Sequence, residues 1–228
     1  MITNPLIDAY VSRLIPPRSP LLTRLEREAA AEGIPIIQLP AAQVMRSLLL
    51  LHQPRSILEI GTAIGYSTIW LAEAAPQASI VTMEMDEERI ARARANFAEA
   101  GLSGRIELIT GDAAKGLPAP RQFDCLFIDA AKGQYQTFLD LYLPLLNENG
   151  LLICDNVLFR GLVAAPEEAS KRQRPLVEKL DRVNVWLSEH PDLATSWIPV
   201  GDGLAVSIKR TKKQRETLPN LSNEGWQG

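Results

Sequence analysis

The sequence predicts an α/β fold, a doubly wound and mostly parallel sheet of seven strands with N-terminal helices and a C-terminal antiparallel hairpin. From residue 56 onward, five short apolar runs alternate with helical stretches, a pattern typical of parallel strands that are buried on both faces. Right-handed crossovers between such strands place helices on both sides of the sheet. Two further apolar runs flank Gly201-Asp202-Gly203, which predicts a hairpin turn.

Each element has its own signal. The five predicted parallel strands are SILEI (56–60), SIVTME (79–84), RIELIT (105–110), FDCLFID (123–129) and GLLICD (150–155). Asp86 is suited to cap a helix that Gly101 ends. Residues 135–146 and 175–191 carry apolar side chains at helical spacing. Stretches with apolar faces in residues 1–51 predict helices that cover the site or form a dimer contact. Residues 1–215 are expected to form a single domain, and residues 216–228 a flexible tail.

Composition excludes several classes of protein. The chain has 228 residues, of which 46% are hydrophobic and 22% charged, with a net charge of −3. This balance suits one globular domain and no general attraction to nucleic acid. No apolar run is long enough to span a membrane, and no signal peptide is recognisable. Cys125 and Cys154 lie in apolar runs, which predicts buried free thiols and a cytoplasmic location. The two histidines stand apart from other catalytic-looking groups, which argues against Ser/His catalysis.

The turn after the first strand predicts a cofactor site. Gly61 and Gly65 allow a tight turn there, and the helix that begins near Ser67 directs free N–H groups toward a ligand. Glu84 ends the second strand, where a carboxylate can accept hydrogen bonds from ribose hydroxyls. Asp112 follows the third strand. This arrangement fits either a dinucleotide or S-adenosylmethionine.

Three details favour S-adenosylmethionine over a dinucleotide. The glycines follow a G-x-x-x-G pattern and not the G-x-G-x-x-G of pyrophosphate binders. Glu59, just before the turn, would repel a pyrophosphate but suits the ammonium group of an amino acid, directly or through water. Asp112 suits an adenine amino group. The structural alternative is a glycine turn flanked by capping acids.

Two neighbouring strands end in carboxylates. Asp129 closes the fourth run, and Asp155 closes the fifth, with Asn156 beside it. Because carboxyl ends of parallel strands meet at one crevice, these three oxygen donors are expected to converge. Hard oxygen ligands without His or Cys suit Mg²⁺, or Ca²⁺ and Mn²⁺. Alternatively, these side chains cap the segments that follow, and Asp129 is expected to begin a helix in either case.

The stretches LEIGTAIGYS, GDAAKGLP, FIDAAKGQY and DNVLFRG together resemble the metal-dependent O-methyltransferases of the catechol and caffeoyl-CoA type, over about residues 35–210. The resemblance implies a Rossmann-like methyltransferase fold, a divalent metal held by Asp129, Asp155 and Asn156, and a homodimer. It also implies that Lys132 is the general base, with Asp129 beside it in the reaction centre. The predicted cofactor residues are Ile37 (a looser match), Glu59, Gly61, Ser67, Glu84, Asp112, Ala113 and Asp129.

Two positions depart from the family pattern. Ala63 stands where the catechol enzymes have a tyrosine, and Ala131 stands where plant enzymes have a second aspartate. These differences leave the reaction intact and concern the acceptor. Lysine is ordinarily protonated at neutral pH, so Lys132 can act as a base only where nearby positive charge favours its neutral form.

Within the family, the stretches DNVLFRG, DRVNVWLSEHP and IPVGDGLAVSIK most resemble the bacterial branch that methylates 5-hydroxyuridine in the tRNA anticodon to 5-methoxyuridine. The 5-hydroxyl and 4-carbonyl of that base can chelate a metal as a catechol does, and an anticodon base can enter a pocket. Arg160 and the basic segments 171–174 and 209–215 can contact RNA or simply be solvated. The alternatives are small catechol or hydroxycinnamoyl-type acceptors, and a non-catalytic module that binds S-adenosylmethionine. The glycine pattern disfavours a nicotinamide oxidoreductase.

Overall fold

The computed structural model describes residues 4–217, built around one sheet. The strands are β1 (Ser56–Ile60), β2 (Ser79–Glu84), β3 (Ile106–Thr110), β4 (Phe123–Ile128), β5 (Leu146–Cys154), β6 (Leu193–Ile198) and β7 (Leu204–Lys209). They lie in the order β3-β2-β1-β4-β5-β7-β6. The first five strands pair in parallel, and β7 is antiparallel to both β5 and β6. The predicted fold class is therefore confirmed, including the hairpin.

Helices lie on both faces of the sheet. They are α1 (Pro5–Leu14), α2 (Pro20–Glu32), α3 (Leu39–His52), α4 (Tyr66–Ala74), α5 (Glu87–Glu99), α6 (Tyr135–Tyr142), α7 (Arg174–Glu189) and α8 (Lys212–Glu216). Short 3₁₀ helices occur at Ala113–Lys115, Lys132–Gln134, Leu143–Leu145, Phe159–Gly161 and Pro166–Glu168. Within residues 4–217, no helix is long and apolar enough to cross a membrane.

The sheet separates two hydrophobic cores. Alternate residues of a strand point to opposite faces, so Cys125 and Phe127 of β4 pack with α2 to α5. Leu126 and Ile128 pack with α6 and α7 on the other side. Burial on both faces explains why the strand sequences read as continuous apolar runs. Both cysteines are buried and free, as predicted.

Several boundaries differ from the prediction. β5 begins at Leu146 instead of residue 150, because Leu146 pairs with Phe123 before the register shifts. The helix predicted over 135–146 ends as an α-helix at Tyr142 and continues as a 3₁₀ turn that contains Pro144. Proline has no N–H to continue the α-helical pattern.

Helices also lie near both ends of the described residues. α3 packs on α4, and α1 packs on α3. Tyr66 at the start of α4 donates a hydrogen bond to Glu26 of α2, which also pairs with Arg18. The predicted boundary between domain and tail falls at residue 215, whereas α8 continues to Glu216. Residues 218–228 of the predicted tail lie outside the described residues.

Candidate active site

The carboxyl ends of β1, β4 and β5 form one edge, because the ladder between these strands continues one residue past each. Asp129 N–H donates to the Ile60 carbonyl oxygen, and Asp155 N–H donates to the Ile128 carbonyl oxygen. The strand order reverses between β1 and β4, since β1 leads outward to β2 and β4 leads outward to β5. Crevices at such a reversal are the usual ligand sites of open α/β sheets.

Gly61 is required by the close approach of two chain segments. Its φ is +101°, and a Cβ at this position would collide with the backbone carbonyl of Asp129. Gly61 therefore has a packing role within the protein, in addition to its predicted role in letting a ligand approach. The absence of a side chain lets the turn after β1 pack directly against the turn after β4.

Gly61→Ala is expected to destabilise the protein by at least about 3 kcal/mol, because the new methyl group meets backbone atoms at an unfavourable φ. Urea unfolding measures the loss. Gly104→Ala is the matched control, since nothing lies within 4 Å of a Cβ there and its φ is not positive. The control should change stability by less than about 1 kcal/mol. Equal stability of the two variants would contradict this account.

A cavity of about 670 Å³ opens at this edge, within the usual size range of small-molecule and cofactor sites. Five of the predicted cofactor residues line it: Gly61, Glu84, Asp112, Ala113 and Asp129. Sequence reasoning did not identify Pro35, Met85, Arg89 and Phe138, which also line it. Ile37 and Ser67 are buried and do not line the cavity. The 3₁₀ helix at 132–134 forms another wall.

Two carboxylates on the cavity wall also hold the surrounding loops. Glu84 accepts hydrogen bonds from the N–H groups of Ala63 (2.9 Å), Met85 (2.9 Å) and Asp86 (3.1 Å). Asp112 accepts one from Ala114 N–H at 2.9 Å and caps the short helix that follows. Both side chains are therefore held in place before any ligand binds. Each carboxylate oxygen can accept a further bond from a ligand hydroxyl or amine.

Glu59 is fully buried beneath the turn and does not line the cavity. Its carboxylate accepts hydrogen bonds from Ser67 Oγ (2.6 Å), Thr68 Oγ1 (2.5 Å) and Thr82 Oγ1 (2.6 Å). Burial raises the pKa of Glu59 to about 7, although these three hydroxyls lower it and Asp129 raises it further. In this structure Glu59 thus links β1, β2 and α4 below the site.

Glu59→Gln is expected to make stability less dependent on pH. Because the folded-state pKa is raised, Glu59 contributes its full stability below its ordinary pKa of 4.5 and loses it as the pH rises through about 7. The wild type should therefore lose about 3 kcal/mol relative to the variant between pH 4 and pH 8. Unfolding free energies at both pH values measure this difference. Glu189→Gln, at an exposed residue, should show none, and a pH-independent gap for Glu59→Gln would contradict the assignment.

The two strand-end aspartates lie close enough to influence each other. Asp155 is buried, with 1% of its surface exposed, while Asp129 is partly open to the cavity. Burial raises the pKa of Asp155 well above its ordinary value, and the charge of Asp129 raises it further. Loss of solvent also raises the pKa of Asp129, while the charge of Lys132 lowers it. Tyr135 donates a hydrogen bond to the Asp155 backbone carbonyl at 2.8 Å and fixes the turn.

Asp129 does not begin a helix, contrary to the expectation from sequence. The residue that precedes the 3₁₀ helix Lys132–Gln134 is Ala131, and no side chain caps it. Asp129 accepts no hydrogen bond from that helix, so its carboxylate is free to face the cavity. Lys132 begins the helix and lines the cavity beside Asp129.

Asp202 is a site residue that sequence reasoning assigned only to a turn. Its charge raises the pKa of both Asp129 and Asp155. The loop after Asp155 is tied to the hairpin turn, since Val157 N–H and Leu158 N–H donate to the carbonyls of Gly203 and Asp202 at 3.1 and 3.0 Å. Asp202 reaches the site because Cys154 pairs with Ala205 in antiparallel register. This pairing places the residues just before Ala205 beside those just after Cys154.

The residues predicted to hold a metal fit a hard divalent ion. Asp155 Oδ2 is buried and has no hydrogen-bond partner, whereas Oδ1 accepts from Asn156 N–H at 2.6 Å. Buried carboxylates are normally paired or bound to a metal. No three His, Cys, Asp or Glu side chains in residues 4–217 form a metal-binding group. The predicted set needs only two carboxylates, because the Asn156 amide supplies the third oxygen.

The loop that carries Asn156 has an unusual backbone. Asn156, Phe159 and Arg160 all have positive φ, at 59°, 43° and 59°. Such conformations are costly for residues other than glycine and cluster at functional sites. In this loop they follow Asp155 directly and turn the chain back toward the hairpin.

Comparisons with known proteins identify the family of this chain. A model of the O-methyltransferase family matches residues 14–210. A catechol O-methyltransferase of Niastella koreensis is 34% identical over 215 residues, which cover 89% of this chain and 96% of the relative.

Solved structures of methyltransferases have a similar fold. SAH-bound PaMTH1 of Podospora anserina has a TM-score of 0.79 and 28% identity, over 90% of this chain and 94% of that one. The O-methyltransferase TomG of Streptomyces achromogenes, in complex with SAM, has a TM-score of 0.77 and 28% identity, over 90% and 96%. The chain therefore belongs to the O-methyltransferase family, which confirms the prediction that it is an enzyme of this kind.

Proposed function

We propose that this enzyme transfers a methyl group from S-adenosylmethionine to one hydroxyl of a vicinal dioxygen pair on a small acceptor, of the catechol or hydroxycinnamoyl type. The observation that carries the proposal is the buried carboxylate of Asp155, with one oxygen unpaired, beside Asp129 and Lys132 at the edge of the cofactor-sized cavity. The SAH- and SAM-bound neighbours support the cofactor, and the catechol O-methyltransferase relative supports the acceptor class.

Each part of the site has a role in this reaction. Asp129, Asp155 and Asn156 would hold a divalent ion, with Mg²⁺, Mn²⁺ and Ca²⁺ all compatible with oxygen ligands. When bound, the ion supplies positive charge that lowers the pKa of an acceptor hydroxyl, and S-adenosylmethionine supplies an electrophilic methyl group. Lys132, in its neutral form, accepts the proton from that hydroxyl at Nζ. The rigid strand ends hold these groups in a fixed relation, and positioning of this kind can contribute about 7–11 kcal/mol.

The methylation of 5-hydroxyuridine in tRNA by this chain stays a prediction. Lys171 and Arg172 support it, since both are exposed and form no salt bridge among residues 4–217. The predicted cytoplasmic location also stays a prediction. So does the homodimer, which the exposed apolar residues of α1 support. These are Leu6, Ile7, Tyr10, Val11 and Leu14.

Labelled methyl transfer tests the proposal directly. Catechol, a dihydroxycinnamoyl ester and an RNA stem-loop that carries 5-hydroxyuridine are compared as acceptors, each with Mg²⁺ and with a chelator. We expect labelled catechol-type products that disappear with the chelator and return when Mg²⁺ is restored. Labelling of the RNA alone would show that the acceptor is tRNA and not a small catechol-type molecule. Full activity after chelation would show that the reaction does not depend on a divalent metal.

A further inference from the structure

A second cavity adjoins the first and has a different character. It encloses about 340 Å³ between the start of α6 and one side of α7. Lys132, Lys179 and Arg182 supply positive charge, and no acidic side chain among the described residues lines it. The name "cationic cavity" is used below for this space. Its other walls include Tyr135, Gln136 and Val183.

Among the described residues, none of the three basic side chains of the cationic cavity is in a salt bridge, although the charge of Lys132 acts on Asp129 and Asp155. Lys179 and Arg182 are three residues apart on α7, a spacing that places their side chains on one helix face. Neither they nor Lys132 forms a salt bridge among residues 4–217. This contrasts with α2 and α5, where Arg24 and Arg92 are both paired with glutamates. Basic side chains grouped around one concavity create a positive potential that attracts anions, and Lys179 and Arg182 contribute to it whatever the protonation state of Lys132.

The inner walls strengthen that attraction. Tyr135 and Val183 are buried, and the Tyr135 hydroxyl is already engaged with the Asp155 backbone. The wall they present is therefore the apolar ring and an aliphatic side chain. Charge interactions are stronger beside such low-dielectric walls than in open water, although Lys179 and Arg182 are themselves exposed to solvent. The space is also large enough for a carboxylate or phosphate group, because one water occupies only about 30 Å³.

Lys132 connects the cationic cavity to the reaction centre, since it lines both cavities. We propose that the cationic cavity binds an oxyanion carried by the acceptor itself, a carboxylate or phosphate some distance from the dioxygen pair. The inference rests on the proposed function and narrows it to anionic acceptors. The acceptor would reach past Lys132, with its dioxygen pair near Asp129 and its anionic group between Lys179 and Arg182.

Two measurements on the full-length enzyme test this proposal. The first compares KM for 3,4-dihydroxycinnamate with KM for its methyl ester, which has the same ring without the charge. The second is calorimetric binding of inorganic pyrophosphate in the absence of acceptor. Both use the double variant Lys179→Met/Arg182→Met. The control Arg27→Met/Lys213→Met changes net charge equally at exposed residues that line neither cavity.

We expect the cavity variant to raise KM for the carboxylate about tenfold and to leave KM for the ester unchanged. Pyrophosphate affinity should fall by a similar factor, and the control should change neither quantity. The KM difference should also shrink as salt is added. Equal KM changes for acid and ester, or unaltered pyrophosphate binding, would overturn the proposal. If the cavity variant loses methyl transfer only to the RNA stem-loop of the labelled-transfer assay, the cavity binds RNA phosphates and the small-acceptor form of the proposal is overturned.

The pyrophosphate measurement separates this proposal from the proposed function. If neither catechol is methylated but pyrophosphate binding still depends on Lys179 and Arg182, the acceptor class is wrong and the anion site stands. If both catechols are methylated equally well by all variants, the function stands and the anion site fails.

Discussion

Asp155→Ala is expected to reduce methyl transfer at least about a thousandfold while cofactor affinity stays within about tenfold of the wild type. The side chain is one of two carboxylates predicted to hold the divalent ion, and charge stabilisation by such an ion contributes several kcal/mol, with each 1.36 kcal/mol worth a factor of ten in rate. Asp155 is buried and does not line the cofactor cavity, so loss of its carboxylate removes no wall of that cavity.

A readout that does not depend on activity accompanies the kinetics. Mg²⁺ should raise the melting temperature of the wild type, because an ion that binds only the folded state stabilises it. The Asp155→Ala variant should lose this shift. Asp181→Ala, at an exposed residue of α7, removes the same charge elsewhere and should keep both activity and shift. An Asp155→Ala enzyme that remains active and insensitive to chelators would refute the metal assignment.

The parts of the fold that could be predicted are those with local signals. Asp86 caps α5 through its side chain, as expected, because a cap depends on residues within one turn. The strands β1 and β2 match their apolar runs. The early start of β5 could not be predicted, since Asn147 and Glu148 are polar and join the strand only through pairing near Phe123.

The site shows the same division. Asp129, Asp155 and Lys132 could be brought together from sequence because strand ends of a parallel sheet meet at one edge. Asp202 could not, because its position depends on the register between β5 and β7. The partners of Glu59 come from β2 and α4, so its burial among hydroxyls depends on packing across three elements. The cationic cavity likewise requires α7 to pack beside the start of α6, which no local pattern specifies.

Lys132→Met is expected to reduce the rate of methyl transfer about 10²- to 10⁴-fold, the usual contribution of a positioned base. Lys132 lies at the wall shared by the reaction centre and the cationic cavity, so methionine keeps the aliphatic stem and removes the amine. The rate at saturating acceptor isolates this loss from any change in acceptor binding. Lys115→Met, on a different short helix, is the control and should keep the wild-type rate.

Lys132→Arg distinguishes a base from a fixed positive charge. The guanidinium keeps the charge near Asp129 and Asp155 but cannot be deprotonated in a protein, so it cannot accept a proton. If Lys132 is the base, the arginine variant should be as slow as the methionine variant, yet should bind pyrophosphate better than that variant because its charge still faces the cationic cavity. Recovery of the rate by arginine would show that charge alone is needed there, and proton removal would then belong to another group or to solvent.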